Sequence, residues 1–158
     1  MIRIASETET AELARLINEA FIVEAFFKIG DRTDVNEIAA LMDAGGEFLV
    51  EDEVLPDGRH ELVGCIYVHC EDERAYFGML SIAPAKQRQG LGRRLIDAAE
   101  ARGRGRGCRF IDLHLVDLRE DLPDYYRRLG YEEQGSLPFP DEERTTLPCR
   151  FIVMSKRL

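Results

Sequence analysis

The chain has no tryptophan and only three histidines among its 158 residues. No apolar run approaches the roughly 18 residues that a membrane helix needs. The opening residues, MIRIASETET, lack the apolar stretch of a signal peptide, so a cytosolic protein is expected. The four cysteines, Cys65, Cys70, Cys108 and Cys149, form no Cys-x-x-Cys pair, and His60, His69 and His114 do not fall at zinc spacings. Buried, reduced thiols and no metal are therefore expected. Positive charge is in deficit: 21 Lys and Arg stand against 30 Asp and Glu, a formal charge of −9. That balance argues against a nucleic-acid partner, which wants a basic face, and is compatible with a cationic or amine substrate. Two phosphate-binding signatures are missing as well. No Gly-Lys-Ser/Thr follows a glycine in Walker fashion, and the third glycine of a Rossmann fingerprint is absent.

What is there fits one domain, residues 1–158, long enough to bury a core without staples. Ile2 and Ile4 alternate as a first strand. Ser6 with Glu9 makes a capping box, and Leu13, Leu16, Ile17 and Ala20 give one helical face. A second helix starts near Asp34 and stops at Gly45-Gly46. Strands are predicted over 47–53, 60–70 and 75–83, the last almost wholly apolar and ended by Pro84. A helix over 90–102, a strand over 108–116, a short helix over 122–129 and strands over 131–134 and 150–155 complete the chain. The order, hairpins first and then strand–helix–strand, describes a mixed α/β or α+β domain. The run RGRGRG, 102–107, reads as a helix stop.

The stretch Gln87-Arg88-Gln89-Gly90-Leu91-Gly92-Arg93-Arg94, preceded by Lys86, puts cations where a helix dipole disfavours them. The first N–H groups of a helix have no intrahelical partner, and glycines let a ligand approach the backbone closely. A bound polyanion would reverse the unfavourable sign, so the stretch reads as a phosphate site; a solvated basic helix start is the alternative.

Gln87-Arg88-Gln89-Gly90-Leu91-Gly92 resembles the Q/R-x-x-G-x-G/A pyrophosphate loop of the GCN5-related N-acetyltransferases (GNAT). Leu80-Ser81-Ile82-Ala83-Pro84 resembles the strand leading into that loop. Tyr125-Tyr126-Arg127-Arg128-Leu129-Gly130-Tyr131 is similar to the family's late signature, and Met154-Ser155-Lys156-Arg157-Leu158 to its last strand. The resemblance implies a mixed, mostly antiparallel sheet of six to seven strands flanked by about four helices. It implies an enzyme that moves an acetyl group directly from acetyl-CoA to a primary amine, a small molecule rather than a protein. The backbone of Leu80, Ser81 and Ile82 would pair with the pantetheine arm, and a main-chain donor near Leu80 or Ile82 would polarise the thioester. Gln87, Arg88, Gln89, Gly90, Leu91, Gly92 and Arg93 would hold the pyrophosphate. Tyr126 would protonate the departing thiolate. The asparagine common seven residues before that tyrosine is Arg119 here, which could reach a phosphate instead. A homodimer is the expected assembly.

A general base must also be found, since an amine with a lysine-like pKa is neutral in only about 1 of 2,500 molecules at pH 7, a handicap of roughly 4.6 kcal/mol. The candidates are Glu24, Asp31, Glu71, Glu73, His69 and His114, and Glu24 ranks first because it sits in the apolar run FIVEAFF. Phe21, Phe26 and Phe27 either line an acceptor pocket or pack as core. A non-catalytic acyl-CoA sensor of the same fold is the alternative function.

Overall fold

The computed structural model describes residues 1–158. Short β1 (Ile2–Ile4) leads through a 3-10 turn to α1 (Thr10–Ala20), then a second 3-10 turn (Phe21–Glu24) and α2 (Val35–Asp43). The strands β2 (Glu47–Val54), β3 (His60–Glu71) and β4 (Arg74–Ile82) follow as an antiparallel meander. Next come α3 (Leu91–Gly105), β5 (Phe110–Val116), α4 (Leu122–Arg128), β6 (Glu132–Pro138) and β7 (Arg150–Arg157). The seven strands form one sheet in the order β1-β2-β3-β4-β5-β7-β6, and only β4–β5 is parallel. The expected mixed, mostly antiparallel sheet with four α-helices is present.

Periodicity decides which face each element buries. Leu13, Leu16 and Ile17 of α1 and Ile38 of α2 bury against Phe48, Val50 and Cys65 on one face of the sheet. Leu91, Leu95, Ile96 and Ala99 of α3 cover the other face, against Ile66, Phe77, Ile111 and Met154. Asp34 caps α2 by accepting from the Glu37 N–H at 2.8 Å, and the Glu9 carboxylate accepts from the Ser6 N–H at 2.9 Å. All four cysteines are free thiols, Cys65 and Cys108 buried and the other two partly exposed. No helix is long and apolar enough to cross a membrane.

Two ends differ from the sequence reading by three residues or more, those of α3 and β6. α3 continues through Gly103 to Gly105 and stops at Gly107, whose φ is 83°. Gly103 is buried where a Cβ would meet Leu158 at 3.0 Å and Ala75 at 3.2 Å, so its small size serves close helix–sheet packing, not termination. β6 runs to Pro138, further than its sparse apolar pattern suggests, because it is a fully exposed edge strand held by its pairing with β7.

Candidate active site

β4 and β5 pair at only three positions, Arg74–Phe110, Ala75–Ile111 and Tyr76–Asp112. Beyond Asp112, β5 keeps its register with β7 as far as Val116–Phe151, while β4 stays with β3. The two strands therefore splay, and their facing main-chain edges have no ladder partner. Met79 adds a bulge within β4: its φ is 52°, and the register with β3 shifts there. A left-handed non-glycine residue costs about 1–2 kcal/mol. The Met79 carbonyl accepts from the Ser81 hydroxyl at 3.0 Å and the Cys65 thiol at 3.8 Å, which fixes the bulge. Bulges of this kind re-aim a strand beside a site.

The splay opens a cavity of about 440 Å³. Gly78, Met79, Leu80 and Ile82 form one wall, and Leu113 to Val116 the other. Leu122 and Tyr126 of α4 line it as well, as do Phe21, Glu24, Lys28 and Arg32 from the segment after α1. Phe139, Asp141 and Phe151 complete it. Ser81 is buried opposite Cys65 with its hydroxyl turned to Met79, and unlike Leu80 and Ile82 it does not line the cleft, contrary to expectation.

Gln87, at the head of the α3 loop, lines the same cavity and donates to the Ile82 carbonyl at 3.2 Å. From Arg88 to Arg93, six consecutive main-chain N–H groups find no partner in the protein; the first helical bond is Arg94 N–H to the Gly90 carbonyl, 3.1 Å. Arg88 and Gly90 take φ of 63° and 80°, which turns the loop into the helix start. Nothing lies within 4 Å of where a Gly90 Cβ would stand. An open nest of donors at a helix N-terminus is an anion cradle, and with the unpaired β4 edge it fits the pyrophosphate and amide-bearing arm of a CoA thioester.

The formal charges around this cradle are arranged differently from expectation. Lys86 pairs with Glu53 (2.5 Å), Arg93 with Asp97 (3.0 Å) and Arg94 with Glu51 (2.7 Å). Three of the four cations thus already have carboxylates that offset the helix dipole, and Arg88 alone lacks one. The backbone donors, not excess side-chain charge, are what an anion would meet first. Arg119 departs from expectation too. It holds Glu24 and Asp121, each at 3.4 Å, instead of standing free for a phosphate.

Tyr126 is buried in an aromatic cluster, with ring centroids of Phe77 and Tyr131 at 6.1 and 5.8 Å. Its hydroxyl makes no hydrogen bond, yet no fully buried polar side-chain atom lacks a partner, so that oxygen faces the cavity. Burial, with the Tyr125 phenol beside it, pushes its pKa well above the usual tyrosine value, against a smaller opposite effect of Arg119. The phenol stays protonated throughout the physiological range.

Of the six candidate bases, Glu24 and His114 line the cavity. Burial raises the Glu24 pKa above the ordinary carboxylate value, although Arg119, Arg32 and Lys28 pull it down. Burial lowers that of His114, whose ring packs on Tyr76 and Phe151. Asp31 and Glu71 are exposed, Glu73 pairs with Arg109 at 3.6 Å, and His69 stands on β3 outside the cavity. The aromatic run divides: Phe21 lines the cavity, Phe27 is buried with Val116 and Phe139, and Phe26 is exposed. Lys28, Arg32 and Asp141 were not legible as site residues. They reach the cavity through a long-range bridge between Lys28 and Thr145, which local pattern does not encode.

The family model for the acetyltransferase (GNAT) domain matches residues 44–133. Ribosomal-protein-alanine N-acetyltransferase from Brucella melitensis superposes with a TM-score of 0.75 at 20% identity, over 100% of this chain and 99% of its own. The Salmonella typhimurium protein yncA, solved with acetyl-CoA, gives 0.73 at 18% identity over 100% and 93%. An aminoglycoside 6'-N-acetyltransferase complexed with coenzyme A gives 0.73 at 18% identity over 99% and 96%. At these identities the superpositions speak for the fold; the family match, which spans more than half of the chain and includes β4, the cradle, α3, β5 and α4, speaks for the lineage. The chain belongs to the GNAT acetyltransferase family.

Proposed function

We propose that the protein transfers an acetyl group from acetyl-CoA directly to the amine of a small molecule, in a ternary complex within the β4–β5 cleft. The observation that carries this reading is the continuity of the unpartnered N–H groups of residues 88–93 with a cleft lined by the free hydroxyl of Tyr126. Acetyl-CoA supplies an activated acyl thioester when bound. The N–H groups from Arg88 to Arg93 hold its pyrophosphate, with Gln87, Gln89 and the Arg88 side chain at the rim. The unpaired backbone of Leu80 to Ile82 adds the pantetheine arm as an extra strand and directs a main-chain N–H at the thioester oxygen. Glu24 takes the proton from the acceptor ammonium, and Arg119 orients its carboxylate. Tyr126 gives its proton to the departing sulfur, and the second proton that the nitrogen sheds as the amide forms returns to the phenolate. Burial raises the phenol's pKa, and the same loss of hydration raises that of the thiol.

The test is amine-dependent release of CoA thiol, followed against pH. Glu24 acts as its carboxylate, so activity falls on the acid side as that group is protonated. Because its pKa is raised, the fall occurs at higher pH than for an ordinary carboxylate. Glu24→Gln removes this acid limb and lowers kcat/KM at neutral pH by about 100-fold, within the usual range for a general base. An unchanged acid limb in that variant assigns the proton to His114 or an ordered water. No thiol release with any amine, despite acetyl-CoA binding, favours the sensor reading.

A further inference from the structure

The acceptor end of the cavity holds more positive charge than a bare amine would want. Lys28, Arg32 and Arg119 line it, against Glu24 and Asp141, in a protein whose formal charge is −9. Most of these charges are accounted for. Arg119 is taken by Glu24 and Asp121, and Arg32 lies 3.7 Å from Glu37 with its guanidinium over the Phe21 ring. Lys28 is the exception: no carboxylate lies within 4.0 Å of its half-buried ammonium. Burial and the nearby charges of Arg32 and Arg144 depress its pKa, against smaller opposite effects of Glu24 and Asp141.

The position is built, not incidental. The Lys28 N–H donates to the Glu24 carbonyl at 3.1 Å, and the bridge to Thr145 is completed by Ile29 N–H to the Arg144 carbonyl at 2.7 Å. Arg144 in turn donates to the carbonyls of Ile29 and Asp31. Beyond Arg32, Asn18 exchanges two hydrogen bonds with the Thr33 backbone. A smaller annex of about 80 Å³ shares Phe21, Glu24, Lys28 and Arg32 with the main cavity, so the two cations stand where the cavities meet. The whole main cavity, about 440 Å³, is near the lower end of the roughly 300–1,000 Å³ typical of ligand sites and must also admit the acyl arm. That volume suits a compact acceptor.

We propose that the acceptor is an amino acid, with its carboxylate received between Lys28 and Arg32 and its amine presented to Glu24. This rests on the acetyl-transfer reading above and adds a substrate class to it. A peptide N-terminus lacks a carboxylate next to its amine, and a polyamine carries only like charge into the cation cluster.

The experiment titrates CoA-saturated protein by calorimetry with a panel of free α-amino acids, ω-amino acids and the amide of each. The readout is equilibrium binding, because an α-amine beside an amide titrates near 7.7–8.0 and is intrinsically the better nucleophile at neutral pH. At least one acid binds tenfold or more tightly than its own amide. Lys28→Met abolishes that ratio, Lys28→Arg retains it, and the affinity for CoA changes less than twofold in both. The proposal is overturned if no acid binds better than its amide, or if the preference survives Lys28→Met. Thiol release measured in parallel separates the two claims. A carboxylate preference in binding without transfer contradicts the enzyme reading alone. Transfer to amines without that preference contradicts the substrate class alone.

Discussion

Replacement of Tyr126 by phenylalanine lowers kcat by about 10²–10⁴-fold, the range expected when a positioned general acid is removed. The affinity for acetyl-CoA stays within about twofold. The fold tolerates the change because one oxygen is lost and the ring keeps its contacts with Phe77, Tyr125 and Tyr131. That oxygen has no partner within the protein, so its removal strands no buried donor or acceptor, and stability changes by less than about 1 kcal/mol. The phenol's raised pKa adds a pH signature: the wild-type rate loses no proton donor until well above pH 10, beyond the usual tyrosine value. Chemical quench measurements at saturating acetyl-CoA report kcat, and thermal melts report stability. An unaltered kcat assigns protonation of the thiolate to water and removes Tyr126 from the mechanism.

Substitution of Gly92 by aspartate separates binding from folding in the opposite sense. Gly92 occupies the first turn of α3 with ordinary φ, and a Cβ there meets only Ile82 at 4.0 Å, an ordinary contact. A carboxylate in the first turn complements the helix dipole by about 0.3–1 kcal/mol, so the apo protein melts no lower than wild type. The same carboxylate stands in the anion cradle. Two unit charges about 4 Å apart repel by about 4 kcal/mol at an effective dielectric constant of 20, so acetyl-CoA affinity falls by at least about 100-fold. Gly92→Ala is the control: it adds the Cβ without the charge and leaves most of the affinity. Equal losses in both variants indicate crowding of the loop in place of repulsion; no loss in either removes the helix start from the binding site.

The strand and helix order was legible because β2 to β4 carry apolar runs bounded by turn residues and because α1 and α3 show clear periodicity. The splay of β4 and β5 was not legible from those patterns. Both strands read as buried along their length, and only the three-residue register ending at Tyr76–Asp112 reveals where they part. The Gly90-Leu91-Gly92 cradle was visible in the sequence, but its energetics were not. Glu51 and Glu53, far away in the chain, reach Arg94 and Lys86 from β2 and neutralise much of the charge that looked unbalanced. Glu24 stood out as a carboxylate among apolar residues, and the structure does bring it to the cavity beside Arg119. Lys28 was hidden for the converse reason, since a lysine between Phe27 and Ile29 carries no local signal. Its place depends on the pairing with Thr145 across most of the chain.

Binding of a CoA thioester across the residues 88–93 cradle and the β4–β5 cleft is read by thermal-shift titration. Acetyl-CoA, free CoA and ATP are titrated side by side. Tm rises with acetyl-CoA and CoA as the stabilisation follows RT ln(1 + [L]/Kd), about 2.7 kcal/mol at 100 times Kd, and rises little or not at all with ATP. ATP carries phosphates but no arm to lie along Leu80 to Ile82. No shift with either CoA species would remove the cradle and the cleft as a CoA site, and an equal shift with ATP would reduce them to a phosphate cradle without an acyl carrier.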